Sequence, residues 1–211
     1  MALKKHIPNL VVLARTLLVP VCAVLLSADA FVTRVWGVAL LFITASLDGV
    51  DGYLARRLKA VSRIGAQLDT LGDRVTENVL FIFFAAKGVV PLYVPIVFVT
   101  RSFLADFVRS LHDRRGIVGT FSMNVSAVGR ALVASRFSRT TYLMVKFAAF
   151  LAGGAFLVCG APDAPGGVSA YSAVLGETAL WCSVTATFFN IARFAALIND
   201  SREVIREDLG F

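Results

Sequence analysis

Long apolar runs, broken by short polar stretches, pattern this chain along most of its length. A helix needs about 20 mostly apolar residues to cross roughly 30 Å of hydrocarbon. Six runs reach or approach that length, at residues 10–26, 31–58, 64–86, 92–111, 141–159 and 174–198. The pattern predicts an all-α integral membrane protein, with six transmembrane helices forming a single domain over residues 1–211. No convincing small-residue cleavage site follows the first run, so it reads as a span rather than a signal peptide. No internal repeat or low-complexity tract stands out, and a repeat-built transporter gains no support.

Composition agrees with this reading. Fifty-seven per cent of residues are hydrophobic and only 17% are charged, which excludes disorder and is unlike a soluble domain. The net charge of +7 does not imply a nucleic-acid partner, because the basic residues sit between apolar runs. Cys22, Cys159 and Cys182 each lie in an apolar stretch, where a thiol serves as packing.

The basic residues orient the spans, since cytoplasmic loops gather Lys and Arg. Arg56, Arg57, Lys59 and Arg63 follow the second run, and Arg114, Arg115, Arg130, Arg136 and Arg139 follow the fourth. Lys4, Lys5, Arg202 and Arg206 mark the ends, whereas the other side holds only Arg34 and Lys87, beside Asp29, Asp163 and Glu177. Both termini are therefore expected on the cytoplasmic face. The stretch 160–176 becomes an outer loop with no evident chemistry, and His6 and His112 are expected in or near loops, solvated.

The acids are distributed differently. Five of the fourteen fall between residues 48 and 77: Asp48, Asp51, Asp69, Asp73 and Glu77. All lie at the cytoplasmic ends of the second and third spans. Ionised carboxylates at membrane depth are costly and mark function by default. Asp48 and Asp51 are i, i+3 and Asp69 and Asp73 are i, i+4, so each pair shares a helix face. Four carboxylates aimed at one point need neutralising. Hard oxygen donors without His or Cys suit Mg²⁺, Mn²⁺ or Ca²⁺, and two divalent ions would form the clamp used for displacement at phosphorus. The structural alternative, ion pairs with Arg56, Arg57 and Arg74, suits a single aspartate better than the whole quartet. Gly49, Gly52, Ala55, Gly65 and Gly72 lie among the acids; small residues permit close approach of a helix or a ligand.

Asp48-Gly49-Val50-Asp51-Gly52-Tyr53-Leu54-Ala55-Arg56, eight residues, Gly65, three residues, Asp69, three residues and Asp73 resembles the pattern D-x-x-D-G-x-x-A-R-x8-G-x3-D-x3-D. That pattern belongs to the CDP-alcohol phosphotransferases, and every fixed position is filled. The resemblance implies six helices around a polar cavity open to the cytoplasm, and a homodimer. It also implies transfer of a phosphatidyl or similar group from a CDP-linked lipid to a small polar alcohol, with release of CMP. Asp48, Asp51, Asp69 and Asp73 would hold two Mg²⁺ or Mn²⁺ ions. Asp73 would also be the general base, and Gly52, Ala55, Arg56 and Gly65 would form the CDP site.

The acceptor is read from departures within that family. Ile7-Pro8-Asn9-Leu10, then Arg15 and Pro20, resembles phosphatidylglycerophosphate synthases and eukaryotic-type cardiolipin synthases. Thr70, Arg74 and Glu77 resemble phosphatidylinositol-phosphate synthases instead, and Ser102 replaces the glutamate that often follows the Arg101 position. sn-Glycerol 3-phosphate is the expected acceptor, with inositol or inositol phosphate as the alternative. A phosphorylated acceptor needs cations, for which Arg suits bidentate contact. Arg101 and Arg109 on the fourth span, and Arg130, Arg136 and Arg139 before the fifth, are the candidates. Arg114 and Arg115 read as topology-setting charges. Asp106 offers Arg101 a structural partner. A cation channel or transporter is the rival class, but its acids should line the whole membrane depth, and these five crowd one end.

Overall fold

The computed structural model describes residues 7–57, 63–114 and 126–209, less the side chains at 7–8, 48–56, 63, 113–114, 128, 134 and 209. Among the described residues the regular structure is entirely helical. Six long helices occupy the six apolar runs: α1 (Ile7–Ser27), α2 (Phe31–Arg57), α3 (Arg63–Ala86), α4 (Tyr93–Arg114), α6 (Arg136–Cys159) and α8 (Ser172–Leu209). Two short ones, α5 (Ala127–Gly129) and α7 (Gly166–Ser169), lie between them. By length and composition Asn9–Ser27, Arg136–Cys159 and Ser172–Asp208 are apolar enough to cross a membrane, and Phe31–Leu47 is a shorter apolar stretch.

The chain divides into two compact units, Met1–Pro91 with Phe147–Leu180 and Leu92–Lys146 with Trp181–Phe211. In the first unit α1 packs against both α2 and α3. Its buried positions are Val12, Arg15, Val19, Cys22 and Leu26, an alternating three-four spacing that keeps one narrow stripe on its neighbours. α3 buries Leu80, Phe81 and Phe84 towards its C-terminal end but Gly72, Arg74 and Glu77 nearer its start. One helix face thus changes from polar to apolar along its length. Phe150 of α6 completes that apolar end, with ring centroids 4.8 Å from Phe81 and 6.3 Å from Phe84.

Helix ends leave carbonyl and amide groups that need partners. The Arg34 guanidinium supplies two: Nε donates to the Ala28 carbonyl just beyond α1 (2.6 Å), and Nη1 to the Leu157 carbonyl in the last turn of α6 (2.5 Å). A cation is also favoured by the negative end of each helix dipole. At the start of α2, the Phe31 amide donates to Asp163 Oδ1 (2.6 Å). The stretch 160–176, expected as a loop, instead contains α7 and the first residues of α8, and its Asp163 caps the start of α2.

In the second unit Ala105 and Val108 of α4 pack with Leu197 of α8, joined by Phe194, Ile198 and Ile205. Two boundaries differ from those expected. α6 begins at Arg136, five residues before the apolar run, because Ser135 Oγ accepts from the Ser138 amide (3.2 Å) and caps the helix start. A π-helical turn over Arg130–Ala134 precedes it. α8 reaches Leu209 rather than residue 198, since helix formers continue after hydrophobicity ends. His112 is buried, not solvated: Nδ1 lies 3.0 Å from the Val108 carbonyl. His6 lies outside the described residues.

A Cβ placed on Gly37 of α2 would stand 2.9 Å from Leu26 Cγ and 3.1 Å from the Leu26 amide nitrogen. Gly37→Ala is expected to destabilise the protein by about 1–3 kcal/mol through overpacking, read as a lower unfolding midpoint in detergent.

Candidate functional site

α3 carries Asp69 and Asp73 one turn apart, so two like charges share one face. α1 answers them with a single cation. Arg15 Nη2 lies 3.2 Å from Asp69 Oδ1, and Nη1 lies 3.2 Å from Asp73 Oδ1. The Arg15 side chain is only 4% exposed, whereas the carboxylates are 50% and 44% exposed. The guanidinium is thus sealed behind the acids. Gly72, between the two aspartates in sequence, makes this approach possible: a Cβ there would stand 2.8 Å from Thr16 Oγ1 and 3.4 Å from Arg15 Nη2.

The other site residues expected in this region are placed less fully. Gly65 lies in the first turn of α3, partly buried. Asp48, Asp51, Gly52, Ala55 and Arg56 lie along α2, but their side chains fall outside the described residues. Among the described residues no group of three or more His, Cys, Asp or Glu side chains comes together. Only two of the four aspartates belong to that set.

The five candidate acceptor arginines lie in the second unit, in different settings. Arg101, Arg109 and Arg139 are partly buried, while Arg130 and Arg136 are exposed. Asp106 approaches Arg109, at 3.7 Å, rather than serving Arg101 as the spacing suggested. Arg101 Nε is buried without a hydrogen bond among the described residues. Sequence reasoning passed over two further cations. Lys146 Nζ lies 4.4 Å from the centroid of the Tyr142 ring, and Arg193 Cζ lies 5.0 Å from the same ring. Lys146 is a buried charge inside a helix apolar enough to span a membrane. That was the available signal, since such charges are rare and functional by default.

α8 also buries Ser183, Thr187 and Asn190 on one face. Thr187 Oγ1 donates to the Ser183 carbonyl at 2.7 Å. Asn190 is 1% exposed, and both its amide atoms lack a hydrogen bond among the described residues. Buried polar groups are usually paired, so an orphaned amide calls for an explanation.

A family model described as CDP-alcohol phosphatidyltransferase matches residues 5–197. The chain belongs to that family. Within it, a Mycobacterium tuberculosis protein provisionally named cardiolipin synthase is 35% identical over 126 residues, covering 59% of this chain and 57% of the relative. A Bacillus subtilis CDP-diacylglycerol–glycerol-3-phosphate 3-phosphatidyltransferase is 28% identical over 116 residues, covering 49% of this chain and 60% of the relative. One from Rickettsia prowazekii is 31% identical over 110 residues, covering 52% and 60%. The chain thus spans 57–60% of the length of these curated relatives. No solved structure matches.

The orphaned amide on α8 yields a measurable expectation. Asn190→Leu keeps the shape and removes the unpaired groups, so it should stabilise the protein by about 1–3 kcal/mol. Thermal unfolding in detergent reads the difference, and a lower midpoint would mean that Asn190 has a stabilising partner.

Proposed function

We propose that the protein transfers a phosphatidyl group from CDP-diacylglycerol to an alcohol and releases CMP. The observation that carries this reading is the full aspartate–glycine pattern of residues 48–73 inside a chain matched by the family model over residues 5–197. Asp69 and Asp73 fit a hard divalent cation: they are oxygen donors, one helical turn apart, and about half exposed. Together with Asp48 and Asp51 they would hold two Mg²⁺ or Mn²⁺ ions. Bound there, the ions supply charge stabilisation for the pyrophosphate and its leaving group.

The remaining chemistry falls to this chain's own residues. Gly52, Ala55, Arg56 and Gly65 bind the CDP moiety. Asp73 accepts the proton of the acceptor hydroxyl as its oxygen attacks the lipid-bearing phosphorus. The new P–O bond forms while the anhydride bond breaks, and CMP leaves with the electron pair. An alcohol nucleophile is supplied by substrate, so no Ser, Cys or His nucleophile is needed.

The acceptor in this reading is sn-glycerol 3-phosphate, giving phosphatidylglycerophosphate. Its support is the Ile7-Pro8-Asn9 opening with Arg15, together with relatives named for glycerol-3-phosphate transfer. Arg101, Arg109 and Arg139 are the preferred phosphate ligands, because they are partly buried where Arg130 and Arg136 are exposed. A second reading, cardiolipin synthesis, is favoured by the mycobacterial relatives and would use phosphatidylglycerol as acceptor. The protein would work as a single-domain homodimer, with six spans around a cavity open to the cytoplasm. Each long helix has at least 21 residues, about 31 Å at 1.5 Å per residue and long enough to cross, and α1, α6 and α8 are also apolar enough.

Purified protein given CDP-diacylglycerol, Mn²⁺ and competing glycerol 3-phosphate, phosphatidylglycerol, inositol, inositol phosphate and serine tests this directly. The expected result is CMP release with phosphatidylglycerophosphate identified by mass. Another product moves the protein to another subfamily, and no CMP with any acceptor argues for the cation-transport rival. Asp73→Asn should cut turnover at least a hundredfold, since general base catalysis typically contributes about 10²–10⁴, while CDP-lipid binding survives.

Sidedness has its own test. Tags fused before Met1 and after Phe211 should both resist protease applied from outside the cell, because the basic residues crowd one side. Removal of either tag would show that the six-span arrangement is wrong.

A further inference from the structure

Arg15 stands where a membrane helix least tolerates a charge. It is the one cationic residue in a buried stripe whose other members are Val12, Val19, Cys22 and Leu26. A guanidinium sealed in that stripe sacrifices hydration, and partners that are half exposed return little of it. Stability alone would favour an aliphatic side chain at this position. The geometry points to a different use.

Each terminal nitrogen takes a different acid, Nη2 meeting Asp69 Oδ1 and Nη1 meeting Asp73 Oδ1, both at 3.2 Å. The spacing between the two nitrogens is rigid, because the guanidinium is planar and delocalised. It therefore sets the spacing between two carboxylates that would otherwise repel and turn apart. Exposure is graded in the same sense, from 4% at Arg15 to 50% and 44% at the acids. The cation backs the pair and leaves its outer side uncovered. Gly72 keeps the helices at the required distance, with a Cβ there placed 2.8 Å from Thr16 Oγ1 and 3.4 Å from Arg15 Nη2.

We propose that Arg15 is a positioning residue, holding Asp69 and Asp73 from α1 in the register in which they receive a divalent cation. This rests on the metal reading of those two aspartates. Losing a partner that orients metal-ligating carboxylates typically costs about 10–100-fold in metal affinity. The fork shape carries the effect, not the charge alone, because an ammonium cannot address two carboxylates from two rigidly spaced nitrogens.

Mn²⁺ binding to metal-stripped, detergent-solubilised protein tests the proposal, with free Mn²⁺ followed by its electron paramagnetic resonance signal. Arg15→Gln and Arg15→Lys should each weaken Mn²⁺ binding by about 10–100-fold. The Mn²⁺ concentration for half-maximal CMP release should rise in parallel. If Arg15→Gln does not fold, Arg15→Lys carries the same comparison. Wild-type affinity in Arg15→Lys would overturn the fork argument. Tighter binding in either variant would make Arg15 a competing counter-ion and overturn the proposal as well. Absence of Mn²⁺ binding by the wild-type protein would bring down the metal reading itself, and this proposal with it.

Discussion

Charge buried at membrane depth must be compensated where it sits, because neither lipid nor a packed helix interface offers water. In the first unit Arg15 meets that requirement through its contact with the pair Asp69 and Asp73. The contact explains why α1 must lie close to α3, and why a residue without a side chain stands between the two acids. It also explains how two carboxylates on one helical turn remain at a shared face. Apolar packing of Val19, Cys22, Leu26, Phe81 and Phe84 holds the helices together further along. The ion contact decides their register at the polar end.

The same economy governs the helix ends on the opposite side. Arg34 serves two helix C-termini at once, and Asp163 serves the start of α2. Each charged residue replaces water that a helix end near lipid cannot rely on. Arg34 and Asp163 therefore do structural work beyond any effect on topology. In the second unit, Lys146 and Arg193 lie over the ring of Tyr142, an arrangement in which the aromatic quadrupole eases the burial of cations.

The family pattern runs along the second half of α2 and the first half of α3. α2 is apolar over Phe31–Leu47 and carries Asp48 and Asp51 after that stretch, and α3 carries Asp69 and Asp73 in its first half. The proposed metal-assisted transfer would need these acids open to a charged headgroup, yet anchored well enough to hold ligand geometry. Half-exposed acids on a buried cation meet both demands.

Much of this was legible in the chain itself. The six long helices follow from the positions of the apolar runs, because hydropathy is a local property of the chain, and three of them are long and apolar enough to be spans. The face shared by Asp69 and Asp73 follows from helical period, and the family pattern from residue identity and spacing. Helix limits were less legible at Arg136 and Leu209, where capping and propensity extend a helix beyond its apolar part. The pairings were not legible at all. Arg15 and Asp69 are 54 residues apart, and Phe31 and Asp163 are 132 apart. Hydropathy and period are silent about which distant side chains meet. Arg15 could be read only as a residue of the opening segment, and His112 only as a polar residue near a loop. Folding made the first the buried partner of two acids and sealed the second against its own helix. The reason is physical: a charge or a ring acquires its role from the groups that replace its water, and those groups are supplied by helices that the local sequence does not contain.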